Sequence, residues 1–187
     1  MTENSDTPRD WPHHGSRKGD NLLLFQPRWD EMENPRTGER FQRLVLETHT
    51  WCNVVALTEG GQFVMVKQYR FGTAHVTTEI PGGVVDPGED PLQAAQRELR
   101  EETGYTSEDW STLGAVEPNP AFHDNLCHHF LARDVKCTHE LSLDSGEDIA
   151  VTLLDAQEVR AQVAAGVINH SLVITALCRV LDLRSQN

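Results

Sequence analysis

The stretch GVVDPGEDPLQAAQRELREETGY, Gly83 to Tyr105, packs a glycine-rich turn, a helix signal and four glutamates into 23 residues. Asp90 suits the position that caps a helix N-terminus, Pro91 suits the first turn and Gly104 suits the residue after the last. On that helix Glu98 stands i,i+3 from Glu101 and i,i+4 from Glu102, so the three carboxylates project from one side. Leu92, Ala95 and Leu99 fill the adjoining arc, which predicts one face packed down and the next presenting acid. Each like-charge neighbour costs roughly 0.2–0.5 kcal/mol on an exposed helix. Two readings are therefore open for these residues alone: a solvated helix face, or a cluster of hard oxygen ligands suited to Mg²⁺ or Mn²⁺. The loop PGGVVDPGE just upstream lets backbone approach closely whatever the carboxylates hold.

The whole chain sharpens the question. Its 187 residues suit one domain with a short extension, and 38% hydrophobic with 24% charged residues is a globular composition. The 29 acidic and 16 basic residues leave a formal charge of −13, which argues against nucleic acid or an anionic membrane surface as partner. An anionic substrate would need a few placed arginines, or metal, to hold it. Cys52, Cys127, Cys137 and Cys178 form no C-x-x-C pair and read as buried or partly buried thiols in a reducing compartment. MTENSDTPRDWPHHGSRKGD has no apolar centre, so it does not read as a signal peptide, and SLVITALCRVLDL is too short and too charged to span a bilayer. These features predict a cytoplasmic protein.

Residues 1–20 are polar and rich in turn formers, and are expected to be mobile. LLLFQPRWDEM and FQRLVLETHT predict two strands joined by NPRTGE, giving an N-terminal strand extension over 21–50 ahead of a main domain over 51–187. WCNVVALT and FVMVKQYR flank EGGQ as a hairpin, and HVTTEI is a strand halted by PGG. Further strands are expected at WSTLGAVEP, NLCHHFLARDVK and DIAVTLLD. Asp155 and Glu158 form a capping box for a helix ended by Gly166, and SLVITALCRVLDL is expected to be a closing helix. This order predicts an α+β fold, an α/β sandwich with a mixed sheet.

The spacing decides between the two readings of the acidic helix. Gly83, five residues to Glu89, seven to Arg97, then RELREETGY resembles the Nudix box, G-x5-E-x7-R-E-U-x-E-E-x-G-U with U aliphatic, which marks the Nudix hydrolases. Gly83, Glu89, Arg97, Glu98, Glu101, Glu102 and Gly104 match the fixed positions and Leu99 the first apolar one, while Tyr105 departs mildly at the last. With the surrounding strand order the resemblance covers roughly residues 40 to 184 and implies the Nudix α/β/α sandwich. It implies hydrolysis of a nucleoside diphosphate linked to another group, with Mg²⁺ as cofactor and Mn²⁺ as its substitute. Glu98 and Glu102 become the leading metal ligands, Glu101 shares a metal or orients water, and the Gly82 carbonyl is a further ligand. Glu89 supports the loop or binds a metal less directly. Arg97 pairs with box carboxylates and fixes their rotamers. A pyrophosphate must be neutralised before water attacks phosphorus, which is why carboxylates and divalent cations belong together here.

The flanks bear on the substrate. QYRFG and TTEIPGG resemble the ADP-ribose pyrophosphatase branch, which implies Arg70 as a phosphate contact and Glu79 in the site; a cross-strand salt bridge is the alternative for either residue. Pro120 falls fifteen residues after Tyr105, where that branch also carries a proline, although an Asn-Pro turn would need no such reason. In related enzymes a glutamate from a downstream loop acts as general base, which points to Glu147 in LDSGEDIAV, with Asp144 and Asp148 as rivals and a solvated acid as the alternative. Trp51 and Trp29 are candidate platforms for a nucleobase, against core packing. Relatives with this N-terminal extension are commonly homodimers. The resulting expectation is a Mg²⁺-dependent pyrophosphatase acting on ADP-ribose or another nucleoside diphosphate sugar, giving a nucleoside monophosphate and a sugar phosphate. The rivals are a Nudix hydrolase of dinucleoside polyphosphates or other nucleotides, and a non-catalytic nucleotide-sugar-binding module.

Overall fold

The computed structural model describes residues 8–184. It divides into two units: the chain up to Thr48 with Asn119–Asn125, and His49–Pro118 with the chain from Leu126 on. Among the described residues no helix is long and apolar enough to cross a membrane.

In the first unit β1 (His13–Lys18), β2 (Gln26–Glu33) and β3 (Arg40–Glu47) form an antiparallel sheet in that order. β1 falls within the first twenty residues, where the sequence predicts a mobile segment. Its residues HHGSRK are all exposed, so no apolar alternation announces it. Pairing with β2 holds it, together with the Ser16 hydroxyl donating to Asp30 at 2.6 Å. β2 begins at Gln26 and not at Leu22, because Leu22–Leu24 turn aside, with Leu23 left-handed at φ 68° and 95% exposed. Asp124 and Glu47 both lie against Arg28, and the Leu46 amide donates to the Phe122 carbonyl at 2.7 Å, which ties Asn119–Asn125 to this sheet.

The second unit is an eight-stranded mixed sheet with helices on both faces. β4 (Trp51–Thr58), β5 (Phe63–Arg70), β10 (Cys127–Cys137) and β11 (Ile149–Leu154) run in the order β11-β5-β4-β10, followed by β8 (Tyr105–Thr106). β6 (His75–Glu79) pairs with β5, β7 (Gly82–Val84) with β4 and β9 (Asp109–Val116) with β10. β4 and β10 are parallel; the other pairs in this sheet are antiparallel. Successive side chains of β4 enter different cores. Cys52, Val54 and Ala56 pack with Ala94, Ala95 and Leu99 of α1 (Pro91–Thr103), whereas Val55 packs with Val159 of α2 (Ala156–Ala164) and Val173, Ala176 and Leu177 of α3 (Ser171–Leu177). This is the expected α+β sandwich.

Local chemistry explains the helix ends. Asp90 accepts from the Leu92 amide at 2.9 Å, and Gly104 takes the left-handed conformation at φ 73°. At Gly104 a Cβ would also meet the His139 carbonyl oxygen at 2.2 Å. α2 starts with the reciprocal Asp155–Glu158 capping box. α3 is shorter than the expected closing helix: after Leu177 the chain tightens, with Arg179 N–H donating to Ala176 and Val180 N–H to Leu177. Two cysteines differ from expectation, since Cys137 and Cys178 are exposed while Cys52 and Cys127 are buried.

Candidate functional site

α1 and β7 build the site. β7 includes the glycines of PGG, which by sequence halt β6; Gly82 and Gly83 pair in register with Asn53 and Cys52 of β4. A Cβ on Gly82 would lie 2.2 Å from the Cys52 carbonyl oxygen, and one on Gly83 would lie 2.5 Å from the Glu98 carboxylate. Only glycine lets strand, loop and acidic helix stack this closely.

Arg97 is the hub of the helix face. Its Nε and Nη2 donate to the two carboxylate oxygens of Glu89, each at 3.1 Å, and Nη2 also donates to the Val84 carbonyl at 3.0 Å. Nη1 donates to Glu98 at 2.8 Å and to Glu101 at 3.2 Å. The Glu89 bonds lead in raising the Arg97 pKa, and the same bonds hold Glu89 below the usual carboxylate range. Glu102 is the opposite case. It is 4% exposed and accepts from the Gly82 amide at 2.9 Å. Burial pushes its pKa up to about 8 against that hydrogen bond, and the charges of Glu98 and Glu147 push the same way. Glu98 is raised too, by burial first and by Glu101 and Glu147.

Arg70 and Glu147, distant from the box in sequence, come within charge range of it, and Glu79, four residues before Gly83, binds Arg70. Glu147 lies in the loop before β11, where its carboxylate accepts from the Asp144 amide at 3.0 Å, and its charge reaches Glu98, Glu102 and Arg70. Arg70, at the end of β5, is clamped by Glu79 of β6: Nε and Nη2 donate to the two carboxylate oxygens, each at 2.8 Å. The cross-strand salt bridge considered for this pair is therefore present, and it leaves three of the five guanidinium N–H groups uncommitted to Glu79. The Glu79 bond raises the Arg70 pKa, with Glu102 and Glu147 adding to it. At Glu79 burial opposes ionisation, but the bonds from Arg70 and Thr77 outweigh it and hold the pKa low.

The remaining sequence candidates divide. Trp51 opens β4 opposite Val84, beside the box strand. Trp29 lies mid-strand in β2, and Pro120 is exposed in the turn before His123; both belong to the first unit. Asp148 immediately precedes β11. Thr77, whose hydroxyl donates to Glu79 at 2.5 Å, was not singled out from sequence. The only signal for it was its place two residues before Glu79, on the same face of a strand.

The donor chemistry fits a divalent cation. Glu102 is buried and Glu98 part-buried, both offer carboxylate oxygens, and the charge of Glu98 pushes the Glu102 pKa upward, so a cation beside them would relieve repulsion that the fold alone leaves in place. Among the described residues no three His, Cys, Asp or Glu side chains already form a closed metal cage. Backbone oxygen, water and substrate phosphate are thus needed to complete a coordination sphere, as is usual for Mg²⁺.

Comparison with known proteins agrees with this geometry. The NUDIX domain family model matches residues 48–175. An ADP-ribose pyrophosphatase of Bacillus subtilis (strain 168) is 36% identical over 131 residues, 68% of this chain and 70% of that protein. A methanol dehydrogenase activator of Bacillus methanolicus is 34% identical over 130 residues, 69% of this chain and 70% of that one. An ADP-ribose pyrophosphatase of Mycobacterium tuberculosis is 30% identical over 159 residues, 84% of this chain and 76% of its own length. A crystal structure of an ADP compounds hydrolase superposes with TM-score 0.83 over 94% of this chain and 95% of that one, at 20% identity, which is a likeness of fold. Members of this family generally use a divalent metal. The box spacing, the two-faced sheet that carries it and the match over residues 48–175 lead to one assignment: the chain belongs to the NUDIX domain family.

Proposed function

We propose that this chain hydrolyses the pyrophosphate bond of ADP-ribose or a closely related nucleoside diphosphate sugar, with Mg²⁺ as the metal and Mn²⁺ as its substitute. The observation that carries the reading is convergence: Arg70 and Glu147, outside the box in sequence, lie within charge range of Glu102, Glu147 also of Glu98, and Glu79 clamps Arg70. The names of the B. subtilis and M. tuberculosis relatives support the choice of substrate.

In this reading Glu98, Glu102 and the Gly82 carbonyl hold the metal, and Glu101 shares it or orients water. When bound, the metal neutralises phosphate charge and makes the attacking water more acidic. Arg70 directs its uncommitted N–H groups at a phosphate oxygen while Glu79 fixes its plane. Glu147 accepts the proton of the water that attacks phosphorus. The leaving phosphate departs as part of the second product, so ADP-ribose gives AMP and ribose 5-phosphate. Arg97 touches no reacting atom; it fixes Glu89, Glu98 and Glu101. Trp51 is the platform proposed for the base, beside β7.

In the same reading the chain works in the cytoplasm and as a homodimer, and the exposed run Leu22–Leu24 supports the dimer. Light scattering should then give twice the 21.0 kDa of one chain.

The deciding assay offers purified protein and Mg²⁺ a panel of ADP-ribose, GDP-mannose, UDP-glucose, diadenosine polyphosphates and NADH, with products identified. Preferred release of AMP and ribose 5-phosphate from ADP-ribose is the expected result. Cleavage confined to the dinucleotides would replace the substrate assignment, and binding without turnover would replace the enzyme with a sensor.

A further inference from the structure

We infer that Thr77 is a positioning residue for phosphate recognition, acting on Arg70 through Glu79. The inference rests on the proposed use of Arg70 as the phosphate contact. Gln68 and Arg70 on β5 and Thr77 and Glu79 on β6 share one face of the sheet, because side chains alternate and Gln68 pairs in register with Thr77. Thr77 is 5% exposed and Glu79 3% exposed. The Thr77 hydroxyl lies 2.5 Å from Glu79 Oε1 and 3.1 Å from the Gln68 carbonyl. It has one proton, which goes to the nearer and charged acceptor.

Glu79 Oε1 therefore receives two donors, Thr77 and Arg70 Nε, while Oε2 receives Arg70 Nη2. A carboxylate held only by Arg70 could swing with it about its own side-chain torsions. The third bond, from a β-branched residue with a stiff χ1, ties the carboxylate to the β6 backbone and so sets the plane of the guanidinium. The relay Thr77–Glu79–Arg70 thus begins in the buried sheet and ends at a partly exposed cation within charge range of Glu102 and Glu147. Its function is to aim the uncommitted Arg70 donors before the substrate arrives, which lowers the ordering cost of binding a diphosphate. Thr77 itself touches neither substrate nor metal.

The test compares wild type, Thr77→Val, Thr77→Ser, Arg70→Ala and the Thr77→Val/Arg70→Ala double variant. Thr77→Val keeps the branched shape and removes the hydroxyl; Thr77→Ser keeps the hydroxyl. Two readouts are needed: KM and kcat for ADP-ribose with Mg²⁺, and equilibrium binding of ADP in EDTA, which probes the diphosphate contact without turnover. Thr77→Val is expected to raise KM and to weaken ADP binding about five- to tenfold, less than the roughly 12-fold or more that a charged hydrogen bond lost directly is worth because Arg70 keeps its own bonds to Glu79, with kcat within about twofold. Thr77→Ser should recover most of that loss. In the Arg70→Ala background Thr77→Val should have no further effect on binding, because the group it aims is gone. Equal effects of Thr77→Val with and without Arg70, or wild-type binding by Thr77→Val, would overturn the relay. So would wild-type ADP binding by Arg70→Ala, or no ADP binding by the wild type. A wild type that binds ADP but leaves ADP-ribose intact overturns the substrate assignment alone, and the ADP series still decides the relay.

Discussion

Glu102 has one hydrogen bond, from the Gly82 amide, and a burial that opposes its own charge. Replacing it by Gln keeps the shape and removes the anion, so Glu102→Gln should cut metal-dependent turnover by about 100-fold or more while the fold persists. Steady-state rates against metal concentration, with a circular dichroism control, check this, and a near-normal rate would remove Glu102 from the metal site. Glu147→Gln should separate differently. General base catalysis contributes about 10²–10⁴-fold, so kcat should fall within that range while binding of ADP-ribose stays close to wild type. Unchanged turnover would reject Glu147 as the base. A third residue concerns stability alone. His129 is fully buried and neither ring nitrogen has a hydrogen-bond partner. Burial, with Arg179 and His128 nearby, lowers its pKa from 6.5 to about 4. The unfolded chain then binds the proton that the folded chain refuses, so this contribution is full above pH 6.5 and is lost as pH falls toward 4. His129→Leu removes the penalty: between pH 7 and pH 5 the wild type should lose about 2 kcal/mol more than the variant in urea unfolding. Parallel pH curves for the two proteins would contradict it.

At the scale of elements, the glycines of β7 carry the consequence of close stacking. Gly83→Ala places a methyl against the Glu98 carboxylate, whose rotamer Arg97 also holds. The expected outcome is a weaker metal response, with a loss of stability of about 1–3 kcal/mol from overpacking; metal titration and thermal melting report the two separately. The same elements explain what was legible beforehand. α1 could be read end to end because Asp90, Pro91, the apolar arc and Gly104 each favour the same helix, and the box fixed its acid face. β4 and β5 announced themselves by apolar runs around EGGQ. β1 did not, since an exposed strand of HHGSRK is held by pairing and not by burial. β7 did not, because three residues of Gly-Gly-Val carry no periodicity. α3 was read too long: apolar residues continue to Leu183, but i→i+3 bonding begins after Leu177. In the site, the pairing of Arg97 with its carboxylates was implied by the resemblance to the Nudix box. The Thr77–Glu79–Arg70 relay needed the β5–β6 register, which no local pattern encodes.

For the molecule as a whole, the charge of −13 repels the substrate class proposed for it. Electrostatic steering should then oppose encounter, and added salt should relieve it. At fixed free Mg²⁺, kcat/KM for ADP-ribose is expected to rise by about twofold or more between 20 and 200 mM KCl before it levels; a steady decline over that range would mean that local cations dominate the approach. The arginine hub has a different consequence. Arg97 supplies one fixed positive charge, shared by Glu89, Glu98 and Glu101, from within the chain, so those three acids are partly compensated on every molecule as it leaves the ribosome. Glu102 has no ion pair of its own, only the Gly82 amide and the more distant charge of Arg70. With the metal held at Glu102 as proposed, assembly would be uncoupled from activation. A cell short of divalent ions would accumulate intact, idle protein instead of misfolded chains, and could switch that stock on without new synthesis.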